Sequence, residues 1–164
     1  MNAAADRTQG VSEAERSLLR DSVREFLAKR WPAEHAVERS GSLEAIAALW
    51  RDLAGQGLAA LGFHADGTGL REIVLVFEEL GRASCPAPLL GAVAANLALA
   101  TQQSNTARAL LEDLHQGRAA IALALGAFDG DRAAGRVAIE GDTLSGKASF
   151  VEGAQTAMRF MPHP

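Results

Sequence analysis

The chain has 164 residues, of which 48% are hydrophobic, so it is long and apolar enough to bury the core of a globular domain. Its net charge of -4 is spread over interspersed acidic and basic residues, and no basic block could neutralise a run of phosphates, which argues against nucleic acid as a partner. The longest apolar run, residues 89–100, contains Asn96 and is shorter than the roughly 20 residues that span a bilayer, which argues against a membrane protein.

The first two predicted helices each begin at a serine cap. Ser12 has capping-box spacing to Glu15, and Pro32 ends the helix that follows. Its apolar residues recur at helical period on one face: Leu19, Val23, Phe26 and Leu27. Ser42 is placed to cap the second helix. Its apolar stripe and its glycine-rich exit consist of Ile46, Leu49, Trp50 and Leu53, then Gly55 and Gly57.

Two more helices flank a proline-containing connection. The third helix is predicted from near Gly69, with Gly81 where a left-handed glycine cap is expected. Its buried side consists of Ile73, Val76, Phe77 and Leu80. Pro86 and Pro88 then require an extended connection. The helix over residues 89–100 is apolar on nearly every side, which is typical of a helix at the centre of a bundle.

The pattern changes from helical to strand-like near residue 117. A fifth helix begins at Ser104 or Asn105 and ends at Gly117, with three leucines directed inward: Leu110, Leu111 and Leu114. The runs 119–125, 136–140 and 147–152 predict strands, and residues 158–164 fit one more strand that Pro162 stops. We therefore predict a mainly α fold, in which an N-terminal helical bundle (residues 1–117) precedes a partial antiparallel β domain (residues 118–164). Exposed strand edges predict self-association or partner binding.

Three motifs that suggest chemistry have simpler structural explanations. Residues 141–148 read G-x-x-x-x-G-K-A and lack the Ser or Thr of a P-loop, so we predict a β-hairpin. Residues 62–69 do not match a dinucleotide fingerprint, so we predict an interhelical loop. Glu78 and Glu79 point about 100° apart on a helix and cannot act together on one atom. We predict for them a solvated face with one polar contact between helices.

Cysteine and histidine give no sign of a reactive or metal-binding site. Cys85 is the only cysteine, so an internal disulfide is impossible and a reducing compartment, the cytoplasm, is expected. It lies beside Pro86 with no neighbouring histidine, and we interpret it as a packing residue. Residues 1–10 lack the basic and apolar regions of a secretory signal. No metal site is predicted, because metal-ligand spacing is missing among Cys85 and the four histidines, His35, His64, His115 and His163.

Two long stretches carry a family resemblance. Residues 49–63, LWRDLAGQGLAALGF, and residues 74–99, VLVFEELGRASCPAPLLGAVAANLAL, include a helix ending in F-E-E-L-G-R, a proline-containing loop and a second helix. This arrangement resembles the N-terminal helical domain of the flavin-dependent acyl-CoA dehydrogenases. Residues 141–157, GDTLSGKASFVEGAQTA, look like the family's central-domain hairpin. The resemblance implies the N-terminal domain and the start of the central β domain, with the family's C-terminal domain absent.

The resemblance also implies which residues the family's chemistry uses. Typical members end their first strand in a Thr-Glu-Pro segment that contacts the flavin. This chain has Gly126, Ala127 and Phe128 there, so only the backbone amides of Gly126 and Ala127 are offered to FAD. The helix after the proline loop lines the acyl cavity in the family, although its residues fit an ordinary bundle core as well: Leu89, Leu90, Val93, Ala94 and Leu97. No carboxylate matches the family's catalytic glutamate, so no catalytic residue is predicted.

The resemblance implies a part of an enzyme. The complete enzyme would perform α,β-dehydrogenation of an acyl-CoA thioester carrying a fatty or steroid-like acyl group, with FAD taking the hydride. This chain alone is expected to be inactive, and to form homo- or hetero-oligomers with acyl-CoA dehydrogenase subunits. One alternative is a non-catalytic partner subunit of a heteromeric acyl-CoA dehydrogenase, which the loss of the Thr-Glu pair favours. Another is a free-standing helical interaction module, which leaves the strand-like region unexplained.

Overall fold

The computed structural model describes residues 11–63, 69–124, 137–146, 151, 153–155 and 159–162. Within these ranges six α-helices precede four short strands, and the predicted mainly α fold class is confirmed. The helices are α1 (Glu13–Arg30), α2 (Ala36–Ser40), α3 (Leu43–Gly55), α4 (Leu70–Arg82), α5 (Leu89–Leu99) and α6 (Asn105–His115). The strands are β1 (Ile121–Ala124), β2 (Val137–Glu140), β3 (Thr143–Gly146) and β4 (Arg159–Pro162).

The three predicted serine caps are present. In α1, Ser12 Oγ accepts a hydrogen bond from the Glu15 backbone at 3.3 Å, and the Glu15 carboxylate accepts one from the Ser12 backbone at 2.7 Å. Ser42 caps α3 and Ser104 caps α6, each by accepting from the backbone N–H three residues later. Each cap satisfies a backbone donor that the first helical turn leaves unpaired, which is why local sequence predicts these helix starts well.

The end of α4 differs from the prediction. Gly81 lies inside the helix, which continues to Arg82, and the left-handed residue is Ser84, with a φ of 49°. The backbone N–H of Cys85 donates to the Leu80 carbonyl at 2.9 Å, which closes the turn around Ser84. The prediction of a glycine cap at Gly81 is therefore wrong. Glycine is the common left-handed cap, but the approach of Cys85 to Leu80 sets the position of this turn.

Helix α5 is buried on one side only. Leu89, Ala92, Val93 and Ala95 are buried against β1, α6 and the 3-10 turn Leu58–Ala60. On the other side Leu90 is 42% exposed and Leu97 is 50% exposed. The expectation of a helix buried on nearly every side is wrong for this face, since no neighbour among the described residues covers it. An all-apolar helix gives no periodic signal that would identify its exposed side.

The strands form two separate pairs. Strands β2 and β3 are antiparallel, with Val137 opposite Gly146, as predicted for the hairpin. Their tight turn contains Gly141, whose φ is 61°. The second strand starts directly after this turn, at Thr143, which is four residues before the predicted run 147–152. Residues 147–150 and 152 of that run lie outside the described residues. Strand β4 occupies the predicted final strand but pairs with β1 in parallel, whereas antiparallel pairing was predicted throughout.

The core joins the helices to the first strand. It contains the apolar stripes of α1, α3, α4 and α6 together with the start of β1, where Ile121 is 1% exposed. Trp50 of α3 donates its indole N–H to the Ala119 carbonyl at 2.8 Å. A Cβ placed on Gly91 of α5 would lie 1.8 Å from the Ile121 carbonyl oxygen. Helix α5 therefore packs directly on the backbone of β1.

Candidate functional site

A buried carboxylate joins α1 to α4. Glu79 is 2% exposed and accepts two hydrogen bonds from Arg24, from Nε at 3.0 Å and from Nη2 at 2.9 Å. Arg20 and Arg82 each place a nitrogen 3.7 Å from the same carboxylate. The hydrogen bonds from Arg24 hold the pKa of Glu79 below its ordinary value, although burial acts in the opposite direction. Glu78 is exposed and lies 4.0 Å from Arg20, so the prediction of a solvated face holds for Glu78 but is wrong for the buried Glu79.

A second buried carboxylate, Glu72, lies one heptad earlier on α4. It accepts a hydrogen bond from Arg16 Nε at 2.8 Å and another from the Gly69 backbone at 2.9 Å. Burial raises the pKa of Glu72, but these hydrogen bonds outweigh it and the net shift is downward. Sequence reasoning missed these buried ion pairs between α1 and α4. The available signal was three arginines spaced four residues apart on α1 facing two glutamates seven residues apart on α4.

A buried amide links α5 and α6 to the turn after α3. Asn96 is fully buried, and its Nδ2 donates to the Ala59 carbonyl at 2.9 Å and to the Leu61 carbonyl at 2.7 Å. Its Oδ1 lies 2.8 Å from His115 Nε2, so the tautomer with a proton on Nε2 completes the set. The Phe63 ring meets the His115 ring edge to face, with centroids 5.2 Å apart. This network holds the chain in place up to Phe63, where the described part of the segment ends.

A cavity opens at the proline-containing connection. We call it the proline-loop cavity; its volume is about 620 Å³, within the range of small-molecule sites. Its walls come from α4 (Phe77 and Leu80), the connection 85–88, the start of α5 and two residues of β1, Ile121 and Leu123. No Asp, Glu, Lys or Arg is found among the described residues that line it. An uncharged cavity of this size suits an apolar ligand.

Cys85 belongs to the wall of this cavity. Burial raises the pKa of its thiol to about 11, so the thiol is protonated at neutral pH. This agrees with the interpretation of Cys85 as a packing residue.

The five residues proposed for acyl binding occupy different environments. Leu90 lines the proline-loop cavity, whereas Leu89 and Val93 are buried in the core. Ala94 is half-buried, and Leu97 is half exposed and lies away from the cavity. The structure therefore brings only Leu90 of these residues into the cavity wall. Sequence reasoning missed the contribution of α4 and β1, because helical periodicity does not report which distant elements meet.

The two residues proposed to contact FAD, Gly126 and Ala127, lie outside the described residues. The described part of β1 ends at Ala124, and Leu123 beside it lines the proline-loop cavity. No group of three or more His, Cys, Asp or Glu side chains suited to a metal ion is present in the described ranges. No helix within those ranges combines the length and the apolar character that crossing a membrane requires.

The architecture is that of a helical bundle in which α5 packs on the first strand of a β region, with an uncharged cavity at their junction. The family model of the acyl-CoA dehydrogenase N-terminal domain matches residues 13–108. The chain is 39% identical over 117 residues to the acyl-CoA dehydrogenase IpdE2 of Mycobacterium tuberculosis, an alignment covering 68% of this chain and 36% of that protein. The chain belongs to the acyl-CoA dehydrogenase family.

A solved structure has the same fold. It is a variant of the steroid ACAD Tcur3481-Tcur3483, with a TM-score of 0.72 and 27% sequence identity. The match covers 90% of this chain and 44% of the chain it is compared with. The aligned parts of the chain thus span less than half the length of either relative, and they correspond to the helical domain and the start of the β domain.

Proposed function

We propose that this chain forms the N-terminal part of an FAD-dependent acyl-CoA dehydrogenase, in which it supplies a wall of the acyl-binding site. Residues 1–117 would form the helical domain and residues 118–164 the opening of the β domain. The proline-loop cavity is the observation that carries the proposal, because an uncharged cavity adjoins the end of β1, where family members contact the flavin. The relatives named as an acyl-CoA dehydrogenase and a steroid ACAD support an acyl-CoA thioester as substrate.

The chain's own residues can hold and shield an apolar group. Phe77, Leu80 and Leu90 supply apolar surface, and Leu123 extends that surface along β1. FAD, when bound, supplies the hydride acceptor, and we propose that the backbone amides of Gly126 and Ala127 contact it. The uncharged wall at Leu123 is compatible with a flavin ring or an acyl chain.

No base for α-proton removal is proposed in this chain. The buried glutamates Glu72 and Glu79 are both occupied by arginine, and neither lines the proline-loop cavity. A carboxylate held by hydrogen bonds from a guanidinium is a weak base and is not free to reach a substrate. We therefore propose that the chain is inactive alone.

A second candidate function is that of a non-catalytic subunit in a heteromeric acyl-CoA dehydrogenase. The replacement of the family's Thr-Glu pair by Gly126 and Ala127 favours it, because two side chains available to the flavin and substrate are lost. The name of the structural relative joins two components, Tcur3481 and Tcur3483. In both candidate functions the chain would work in an oligomer of acyl-CoA dehydrogenase subunits.

The proposal is tested by the binding of a medium-chain acyl-CoA to the purified chain, with free CoA as the reference ligand. Leu90→Lys places a charge in the proline-loop cavity, and we expect it to abolish the preference for acyl-CoA over CoA. Leu97→Lys is the matched control, since Leu97 lies on the same helix with similar exposure but outside the cavity. Equal weakening by both variants, or no preference in the unmodified chain, would contradict the proposal.

The two candidate functions are separated by the visible absorption spectrum of the chain after FAD is added and the excess removed. A retained flavin band supports a flavin site that includes this chain. A colourless protein that still prefers acyl-CoA over CoA supports the non-catalytic subunit.

A further inference from the structure

A second cavity adjoins the proline-loop cavity. We call it the Arg51 cavity; its volume is about 510 Å³, and it is bounded by α3, by Pro88 of the proline-containing connection, by Gln155 and by the connection from α6 to β1. Four residues line both cavities: Leu43, Ile46, Pro88 and Gln155. The two spaces therefore meet along a common wall.

The two cavities lie at successive levels of the first strand. The Arg51 cavity is lined by Ala120, immediately before β1, whereas the proline-loop cavity is lined by Ile121 and extends to Leu123. Three residues of extended chain span about 10 Å. An acyl group that extends from the end of β1 past Ile121 therefore has the Arg51 cavity as an adjoining space.

The charge in the Arg51 cavity has one sign. Arg51 and Arg118 line it, and none of its described lining residues is acidic. Arg118 is paired with Asp113, at 2.8 Å and 2.9 Å. Arg51 is exposed, donates from Nε to the Ala47 carbonyl at 3.3 Å and forms no ion pair within the described ranges. Its guanidinium thus keeps donors available for a ligand.

The wall that presents Arg51 is held in place. Trp50, which also lines the cavity, is fixed by its hydrogen bond to the Ala119 carbonyl. Gly117 has a φ of 68°, and a Cβ there would lie 3.0 Å from the Arg51 Cα. The backbone of α3 at Arg51 therefore packs directly on the turn before β1. A cavity with a fixed wall can discriminate between ligand ends.

We propose that the Arg51 cavity is a subsite for the distal end of the acyl group, and that Arg51 selects a distal oxygen acceptor, a carboxylate or a carbonyl, over a plain methyl end. This inference rests on the proposed binding of the acyl group in the proline-loop cavity. The apolar cavity accommodates the body of the ligand, while the guanidinium donates hydrogen bonds to the oxygen at its end. An alkyl end leaves those donors without a ligand partner.

The test uses three CoA thioesters that share a twelve-carbon chain: dodecanoyl-CoA, 11-oxododecanoyl-CoA and the mono-CoA thioester of dodecanedioic acid. The CoA moiety is constant, so affinity differences report the distal group. Binding to the full chain is measured by titration calorimetry and by intrinsic fluorescence. Trp50 lines the Arg51 cavity, and Trp31, the other of the two tryptophans, does not.

We expect the thioester with a distal oxygen to bind about tenfold more tightly than dodecanoyl-CoA, as one hydrogen bond to a charged donor provides. Tight binding of the dicarboxylic thioester alone assigns an anionic end, and tight binding of the oxo thioester as well assigns an oxygen acceptor in general. Arg51→Gln should remove the preference, so that the three thioesters bind with equal affinity. Arg71→Gln, which alters an exposed arginine outside the cavity, should retain it.

Equal affinity for all three thioesters would overturn the subsite while leaving the proposed function intact. A preference that survives in a folded Arg51→Gln chain would likewise exclude Arg51 as the selecting residue. Failure of all three thioesters to bind more tightly than free CoA would overturn the proposed function and the subsite together.

Discussion

The close contact between α5 and β1 is tested by Gly91→Ala, which has two effects of opposite sign on stability. Gly91 lies within α5, where replacing glycine by alanine favours the helix by about 1 kcal/mol. At this position, however, an added Cβ would lie 1.8 Å from the Ile121 carbonyl oxygen and 2.7 Å from its carbonyl carbon. These are backbone atoms of a buried strand, so the clash is relieved only by moving α5 away from β1.

Overpacking of this kind costs about 1–3 kcal/mol, and the upper part of that range applies because backbone must move. We expect Gly91→Ala to lower the free energy of unfolding by about 2 kcal/mol and the Tm by roughly 4–8 °C. Urea unfolding followed by circular dichroism measures the first, and thermal unfolding the second. Gly81→Ala is the matched control, because Gly81 lies in α4 with nothing within 4 Å of an added Cβ. The Gly81→Ala chain should be as stable as the unmodified chain or more stable. Unchanged or increased stability in Gly91→Ala would refute the close approach of α5 to β1.

Three further predictions concern Glu79, Cys85 and Asn96. Glu79→Gln should lower the free energy of unfolding by about 2 kcal/mol. This is less than for a fully buried ion pair, because the Arg24 side chain is 54% exposed. The control Glu78→Gln should change the free energy of unfolding by less than about 0.5 kcal/mol. The pKa of Glu79 is lowered in the folded state, so the carboxylate stabilises the fold above the unfolded-state pKa of about 4.3. That stabilisation is lost as pH falls through the folded-state pKa. Glu79→Gln should therefore lose less stability at acid pH than the unmodified chain, as measured by urea unfolding at a series of pH values. Iodoacetamide should label Cys85 slowly at pH 8, where a pKa of about 11 leaves about one thiol in a thousand ionised, and rapidly in urea; fast labelling of the folded protein would contradict the raised pKa. Asn96→Ala should cost about 3 kcal/mol in urea unfolding, since the Ala59 and Leu61 carbonyls lose a buried donor, and a cost below 1 kcal/mol would contradict the network.

Local sequence predicts the features that local chemistry controls. The capping box at Ser12 and the caps at Ser42 and Ser104 depend on residues three positions apart, and all three are present. Gly117 ends α6 with a positive φ, as its sequence position indicates. The cap predicted at Gly81 failed because the turn is set by the contact between Cys85 and Leu80. Glycine tolerates a left-handed conformation, but it does not require one.

The candidate site was less accessible to sequence reasoning, because it is assembled from distant parts of the chain. The proline-loop cavity combines Leu43 of α3, Phe77 of α4 and Leu123 of β1. Apolar periodicity identifies the inward face of each helix but not the spaces left where three elements meet. The ion pairs between α1 and α4, Arg16 with Glu72 and Arg24 with Glu79, leave a clearer pattern in the sequence, because their charges recur at helical spacing on both helices.

The sequence pattern changes from helical to strand-like near residue 117, but the buried core continues past that residue. Ala119, Ala120, Ile121 and Ala122 are all buried, although they belong to the strand-like part of the sequence. Trp50 bonds to Ala119, and Gly91 gives α5 room to contact Ile121. Removing the chain after Gly117 would therefore expose Ile121's former neighbours and leave the Trp50 indole N–H without its acceptor, each at a cost of about 1–3 kcal/mol. We expect a helical domain ending after Ala124 to unfold at higher urea concentration than one ending at Gly117, and equal midpoints would show that β1 contributes nothing to the helical core.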